Sequence, residues 1–241
     1  MHLAHTSNRV RNFNHGHIQA LLFDFDGVVI DSEPVHEQTL QIASKRLGLE
    51  LSQSQLLQLK GMNQKASAET LKSFVPSSAL DCEEIIQIRA EAFDQLIDNV
   101  RLMPGVLKFI LRLKISGFAV ALTTSSGGPG LADLLDRFCL SPLFDVIVTG
   151  DDVTNSKPHP EPYRLTAQRL EIEPKHCIAI EDSVNGIISA TAAGCRAIGL
   201  TTSFPKEKLL NAGAIFIIDS FEQLLQIMFS ASPIRSIEIV H

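Results

Sequence analysis

Short apolar runs alternate along most of the chain with segments whose apolar positions recur every three to four residues. The runs lie at 18–23, 118–123, 145–149, 177–181, 195–200 and 215–218. They are near-continuous rather than alternating, as strands covered on both faces should be. Between them, one helix is expected to start at Pro104, run through Val106, Leu107, Ile110, Leu111 and Leu113, and stop at Gly117. Others are expected at about 131–138 and at about 184–193, the latter ending at Gly194. The order strand, helix, strand predicts an α/β fold with an open, Rossmann-like parallel sheet flanked by helices.

Residues 35–102 break this rhythm. They hold no convincing strand and several helical patterns, the clearest placing Ile85, Ile88, Ala92, Leu96 and Val100 on one helix face. Ser52 with Gln55 three positions later has the spacing of a capping box. The expected organisation is therefore a core of 18–34 and 103–241, with an all-helical cap inserted at 35–102. An insert after the first strand hangs over the carboxyl ends of the sheet, where doubly wound folds bind ligands.

Composition narrows the class without naming a chemistry. Of 241 residues, 45% are apolar and 20% charged, with a net charge of −6, and no run is long enough to span a bilayer. No general nucleic-acid or membrane surface is expected, and a monomer acting on a small molecule is the simplest assembly. The four cysteines have no metal-type spacing; Cys177 and Cys195 each open an apolar run, as buried thiols do. With no secretory signal in view, a cytoplasmic setting is expected. Residues 1–17 carry four histidines and no acidic residue, and read as a disordered extension.

The candidate chemistry sits at strand ends. The first strand closes in Phe23-Asp24-Phe25-Asp26-Gly27. Two carboxylates this close repel by about 4 kcal/mol at ~4 Å and an effective dielectric near 20, so a cation or a shared proton is needed. Glu181 and Asp182 close another apolar run, and in a parallel sheet both pairs project from one edge. Such a hard-oxygen cluster suits Mg²⁺, which takes few protein ligands and keeps waters for a phosphate. Lys157, between Ser156 and Pro158, is the local cation. Thr123 to Ser126 end a further strand in hydroxyls, forming a phosphate cradle with the helix start beyond. Each feature alone has a bland explanation as a turn, a cap or a surface charge. Four in this order do not.

Together these segments resemble the haloacid dehalogenase superfamily, in the branch of β-phosphoglucomutase-like sugar phosphatases. The likeness covers about residues 18–225 and rests on FDFDGVVIDSE (23–33), LTTSS (122–126), GDDVTNSKPHPEPY (150–163) and IEDSVNGIISATAAG (180–194). It implies a Rossmann-like core, a helical cap and Mg²⁺. By this resemblance Asp24 is the nucleophile and Asp26 the acid/base. Asp24, the main-chain carbonyl of Asp26 and Asp182 hold Mg²⁺ beside Glu181, while Thr124, Ser125 and Lys157 bind phosphoryl oxygens. Asp31 and Glu33 fix the flap of residues 27–34, and His36 has a structural role. Lys60, Gly61, Met62 and Asn63 are the candidate cap contacts to a sugar or polyol phosphate.

Hydrolysis and mutase chemistry share these residues. The mutases that the chain resembles have an arginine about where this chain has Gln64 and a lysine about where it has Gly127, and both charges are missing here. Phosphatase is therefore the expected activity, with a hexose phosphate mutase as the alternative. Asp26 argues against dehalogenases and phosphonate-cleaving members, which lack that second aspartate. A non-catalytic binding protein would be expected to have lost one of Asp24, Asp26, Lys157 or Asp182, and all four are present.

Overall fold

A computed structural model describes residues 18–59, 64–75 and 79–229. The N-terminal extension and the cap segment Lys60, Gly61, Met62 and Asn63 lie outside the described residues. In chain order come β1 (Ala20–Phe23), β2 (Ile30–Asp31), α1 (Glu33–Arg46), α2 (Gln53–Leu59), α3 (Gln64–Phe74), α4 (Cys82–Leu96) and β3 (Arg101–Leu102). The rest is α5 (Val106–Ile115), β4 (Ala119–Thr123), α6 (Gly128–Arg137), β5 (Val146–Val148), α7 (Glu161–Arg169), β6 (Cys177–Glu181), α8 (Val184–Ala193), β7 (Arg196–Leu200), α9 (Lys206–Asn211), β8 (Phe216–Ile218) and α10 (Phe221–Phe229).

Six strands form one parallel sheet in the order β5-β4-β1-β6-β7-β8. Successive side chains of β1 face opposite ways, and both faces are covered. Leu21 and Phe23 join one core cluster with α5 and α10, while Ala20 and Leu22 join the other with α7 and α8. Phe23 anchors the strand end. It is fully buried, with ring centroids 6.0, 6.4 and 6.2 Å from those of Phe109, Phe144 and Phe221. Truncating it to alanine would cost about 3–5 kcal/mol and loosen the point from which Asp24 projects. After β1 the sheet grows outward through β4 and β5, and the chain then returns to place β6 on the other side of β1. That reversal is the crevice in which such sheets bind ligands.

The cap is helical. Helix α4 packs against α1 and α3, around Leu40, Ala43, Leu59, Leu71, Ile85 and Ile88. The expected capping box at Ser52 forms, with Ser52 N–H donating to Gln55 Oε1 at 2.9 Å. A second one, not singled out from the sequence, starts α4: Asp81 accepts from Glu84 N–H at 2.9 Å and donates its own N–H back at 2.7 Å.

Two expectations need correction. Within 35–102, Arg101–Leu102 is a strand, pairing antiparallel with Ile30–Asp31 in a short ribbon at the cap's two crossings. Two residues a side are too few for any periodicity to register. Helix α5 begins at Val106 rather than Pro104, because Gly105 takes a left-handed conformation (φ 80°) and turns the chain just before it. The cysteines are free; Cys177, the first residue of β6, and Cys195, just before β7, are buried neighbours. Among the described residues, no helix is long and apolar enough to cross a membrane.

Candidate active site

The site forms where β1, β4 and β6 end side by side. Asp24 N–H donates to Ile180 O at 3.0 Å, so the sheet's own hydrogen bonding sets Asp24 level with Glu181. The chain then turns at once: the N–H groups of Val28, Val29 and Ile30 all point to Phe25 O. The turn needs Gly27, which has φ +75° and lies so close to Asp182 that a Cβ would fall inside the carboxylate. Gly186 plays the same part on α8, where a Cβ would overlap Glu181.

Lys157 reaches the centre of the cluster with its side chain almost wholly buried. Its ammonium donates to Asp24 Oδ1 at 2.6 Å, Glu181 Oε1 at 2.6 Å and Thr123 O at 2.9 Å, using all three N–H bonds. Its loop is braced by Glu161, which accepts from the Thr154 and Asn155 backbones at 2.8 and 3.0 Å and from Asn155 Nδ2 at 2.8 Å. Tyr163, the chain's single tyrosine, donates to Glu181 Oε1 at 2.8 Å, with its ring 5.0 Å from the Lys157 nitrogen. Ser183 caps α8 and also donates its hydroxyl to Glu181 Oε2 at 2.9 Å. Both oxygens of Glu181 are therefore held by protein donors.

Asp182 differs. Its Oδ2 accepts from Ser203, and Thr202 stands 3.4 Å from the same atom while donating to Gly27 O at 2.7 Å. Among the described residues no donor reaches Asp182 Oδ1 or Asp24 Oδ2. Three carboxylates, those of Asp24, Glu181 and Asp182, offer oxygens within 4.8 Å of one another. One ammonium balances one of those charges, and the remainder is felt in the acid strengths. Burial and the neighbouring Glu181 push Asp24 up to about 7, although Lys157 pulls the other way. Burial, Asp24 and Glu181 drive Asp182 well above the usual carboxylate range. A divalent cation held by the Asp24 and Asp182 carboxylates would remove the imbalance, and hard oxygen donors are what Mg²⁺ requires. The residues fit the ion.

Asp26 faces the cap side. Its two oxygens accept from Ser32 and Ser126, each at 2.6 Å, and His36 Nε2 lies 3.5 Å from Oδ1. Burial alone would raise its pKa, but the His36 contact and the two hydroxyl hydrogen bonds outweigh that and hold it at about 2. His36 in turn stacks on Phe93 of α4, with centroids 5.2 Å apart.

Of the residues singled out from the sequence, Asp24, Glu181, Asp182 and Lys157 meet in one cluster, with Asp26 beside them. Thr124 is buried next to it, its hydroxyl accepting from Ser126 N–H at 2.9 Å. Ser125 is exposed, and it is Ser126 that touches Asp26. Ser32, Ser203, Thr202 and Tyr163 were not singled out. They lie on other elements, and nothing in local spacing marks them.

Residues 21–200 match the family described as haloacid dehalogenase-like hydrolase. A phosphoglycolate phosphatase from Salmonella choleraesuis is 30% identical over 86% of this chain and 91% of its own. Hexitol phosphatase B from Escherichia coli is 31% identical over 75% of this chain and 82% of its own. Crystal structures of CbbY from Rhodobacter sphaeroides, one with phosphate and one of a mutant with xylulose-(1,5)bisphosphate, are 29% identical to this chain, with TM-scores of 0.72 and 0.70. Each covers 86% of this chain and 96% of the other. With the family matched over most of its length and relatives at this identity, the chain belongs to the haloacid dehalogenase-like hydrolases.

Proposed function

We propose that this protein is a Mg²⁺-dependent phosphatase that hydrolyses a small phosphorylated metabolite, a sugar or polyol phosphate, through a phospho-aspartate on Asp24. The observation that carries the reading is the buried group of Asp24, Lys157 and Asp182, whose surplus negative charge calls for a divalent cation beside the nucleophile.

A carboxylate oxygen of Asp24 attacks phosphorus as the ester P–O bond breaks. Asp26, ionised in the free protein but driven to take up a proton by the negative charge of the bound phosphate, passes that proton to the leaving alkoxide. Water then attacks the aspartyl phosphate, giving its proton to Asp26 and restoring Asp24. Ser32 and Ser126 aim Asp26, and Lys157 and Thr124 offset the charge on the phosphoryl oxygens. Asp24, Asp182 and the main-chain carbonyl of Asp26 would hold Mg²⁺, with Glu181 fixing Lys157 from behind. The ion supplies Lewis-acid neutralisation of the phosphoryl charge.

A hexose phosphate mutase is the second reading. It needs a further anion site beside the hydroxyl strand, and there Gly127 lies against the Asp151 carboxylate, which accepts from Gly128 N–H at 2.8 Å. An acidic group in that place favours hydrolysis.

Phosphate release from p-nitrophenyl phosphate and a panel of sugar, polyol and nucleoside monophosphates tests the reading. Mg²⁺-dependent turnover, lost in Asp24→Asn, is the expected result. No release from any ester would leave a binding protein on this fold. Glucose 6-phosphate formed from β-glucose 1-phosphate and its bisphosphate activator, without phosphate release, would establish the mutase instead.

A further inference from the structure

Three hydroxyls, Thr201-Thr202-Ser203, follow β7 directly, at the carboxyl edge of the sheet. Each holds a different element. Thr201 donates its hydroxyl to Asp219 Oδ1 at 2.6 Å and its N–H to Ile218 O at 3.0 Å, tying the loop to the end of β8. Thr202 donates to Gly27 O at 2.7 Å, closing the loop on the turn after β1. Ser203 donates to Asp182 Oδ2. Loop hydroxyls usually bond backbone close by in sequence; these three reach partners 18, 175 and 21 residues away. A hydroxyl has one proton to give, so the 3.4 Å contact of Thr202 with Asp182 Oδ2 is the weaker of its two. Ser203 is the main donor to that oxygen.

The oxygen is boxed in from the other side as well. A Cβ on Gly27 would fall 1.9 Å from Asp182 Oδ2 and 3.2 Å from Ser203 Oγ, so turn, carboxylate and loop meet with no room between them. The other carboxylates of the cluster are divided in the same way. Lys157 takes Asp24 Oδ1. Glu181 has both oxygens occupied, Oε1 by Lys157 and Tyr163 and Oε2 by Ser183. Among the described residues, Asp24 and Asp182 each keep one oxygen that no donor reaches, and Glu181 keeps none.

Carboxylates limited to one oxygen suit a small ion better than a large one. Mg²⁺ demands near-octahedral geometry, met by one or two carboxylates and several waters. Ca²⁺ gathers about 6–8 oxygens and readily takes both from one carboxylate. We infer that Ser203 is a positioning residue that keeps Asp182 a one-oxygen ligand, and that the loop 201–203 thereby selects Mg²⁺ against Ca²⁺. This rests on the Mg²⁺ site of the phosphatase reading and deepens it.

Calorimetric titration with Mg²⁺ and with Ca²⁺, at one fixed pH, compares the wild type with Ser203→Ala and Ser203→Thr. In Ser203→Ala the carboxylate loses its fixed orientation and its second oxygen is released. Mg²⁺ affinity should fall by ~10-fold or more, while Ca²⁺ affinity holds or rises. The ratio of Mg²⁺ to Ca²⁺ affinity should therefore drop by at least ~10-fold, with Ser203→Thr, which keeps the hydroxyl, close to the wild type. A ratio unmoved by Ser203→Ala would overturn the inference. So would an equal weakening of both ions, the signature of a merely structural loop. A ratio lowered as far by Ser203→Thr as by Ser203→Ala would place the cause in packing and reject the role of the hydroxyl. Should Ser203→Ala fail to fold, Ser203→Cys, close in shape but a weak donor, gives the same comparison. Failure of the phosphatase reading has a separate mark: Mg²⁺ binds, but no ester, including p-nitrophenyl phosphate, is turned over. The affinity ratio then still decides the role of Ser203. A wild type that binds neither ion would overturn the inference whatever its turnover.

Discussion

Asp24 and Asp182 share a crevice that the protein alone leaves too negative, and this makes metal, proton and stability a single balance. In the metal-free protein, folded Asp24 keeps its proton up to about 7, whereas in the unfolded chain it ionises near ~3.9. The stability from that retained proton is complete below pH ~4 and is lost as pH rises through about 7. Asp182, displaced in the same direction, adds to the slope. In chelator, the melting temperature should therefore fall as pH is raised across this window, and Mg²⁺ should flatten the fall. Calorimetric Mg²⁺ affinity should rise with pH over the same range, with protons released on binding. A metal-free protein that grew more stable with rising pH would contradict this account. Asp26, held at about 2 by His36, Ser126 and Ser32, does not titrate in that range.

The turn after β1 is where element geometry and chemistry constrain each other most tightly. Gly27→Ala would put a side chain both into a left-handed backbone position and into the Asp182 carboxylate. A loss of about 2–4 kcal/mol of stability is expected, with Mg²⁺-dependent turnover reduced by at least ~100-fold, measured by denaturant titration and phosphate release. Much of the element order was legible in advance. Near-continuous apolar runs located all six strands of the main sheet, and the order of acidic, hydroxyl and basic motifs located Asp24, Thr124, Lys157 and Asp182. The β2–β3 ribbon was not legible, because two residues cannot display a period. Nor were Tyr163 and Ser203, which owe their places to tertiary approach: one comes from the face of α7, the other from the loop after β7. Nor was the contact of Ser126 to Asp26 legible, since a run of hydroxyls does not say which one the turn will face inward.

At the scale of the whole molecule, the cap is tied to the sheet at two crossings and again just beside the second of them. Arg101 Nη1 donates to Asp98 O at 2.5 Å, and Arg137 of α6 pairs with the Asp98 carboxylate. The seam between the bodies holds Phe93 and His36, so the cap helix α4 reaches Asp26 through one stacked pair.

The central place of β1 has a consequence for how the enzyme comes into being. Its register partners begin at Ala119 on one side and Cys177 on the other, so neither neighbour exists when β1 leaves the ribosome. Both pairings close very long loops, whose entropic cost precedes any reward from contact. Asp24 and Asp182 face each other only after the second closure. Refolding from denaturant should therefore recover helical signal early, while Mg²⁺ binding and turnover return together in the slowest phase. A Mg²⁺ response preceding the docking of β6 would be incompatible with this order of assembly. The nascent chain carries Asp24 from the start, yet the cluster around it cannot close until most of the protein has been made.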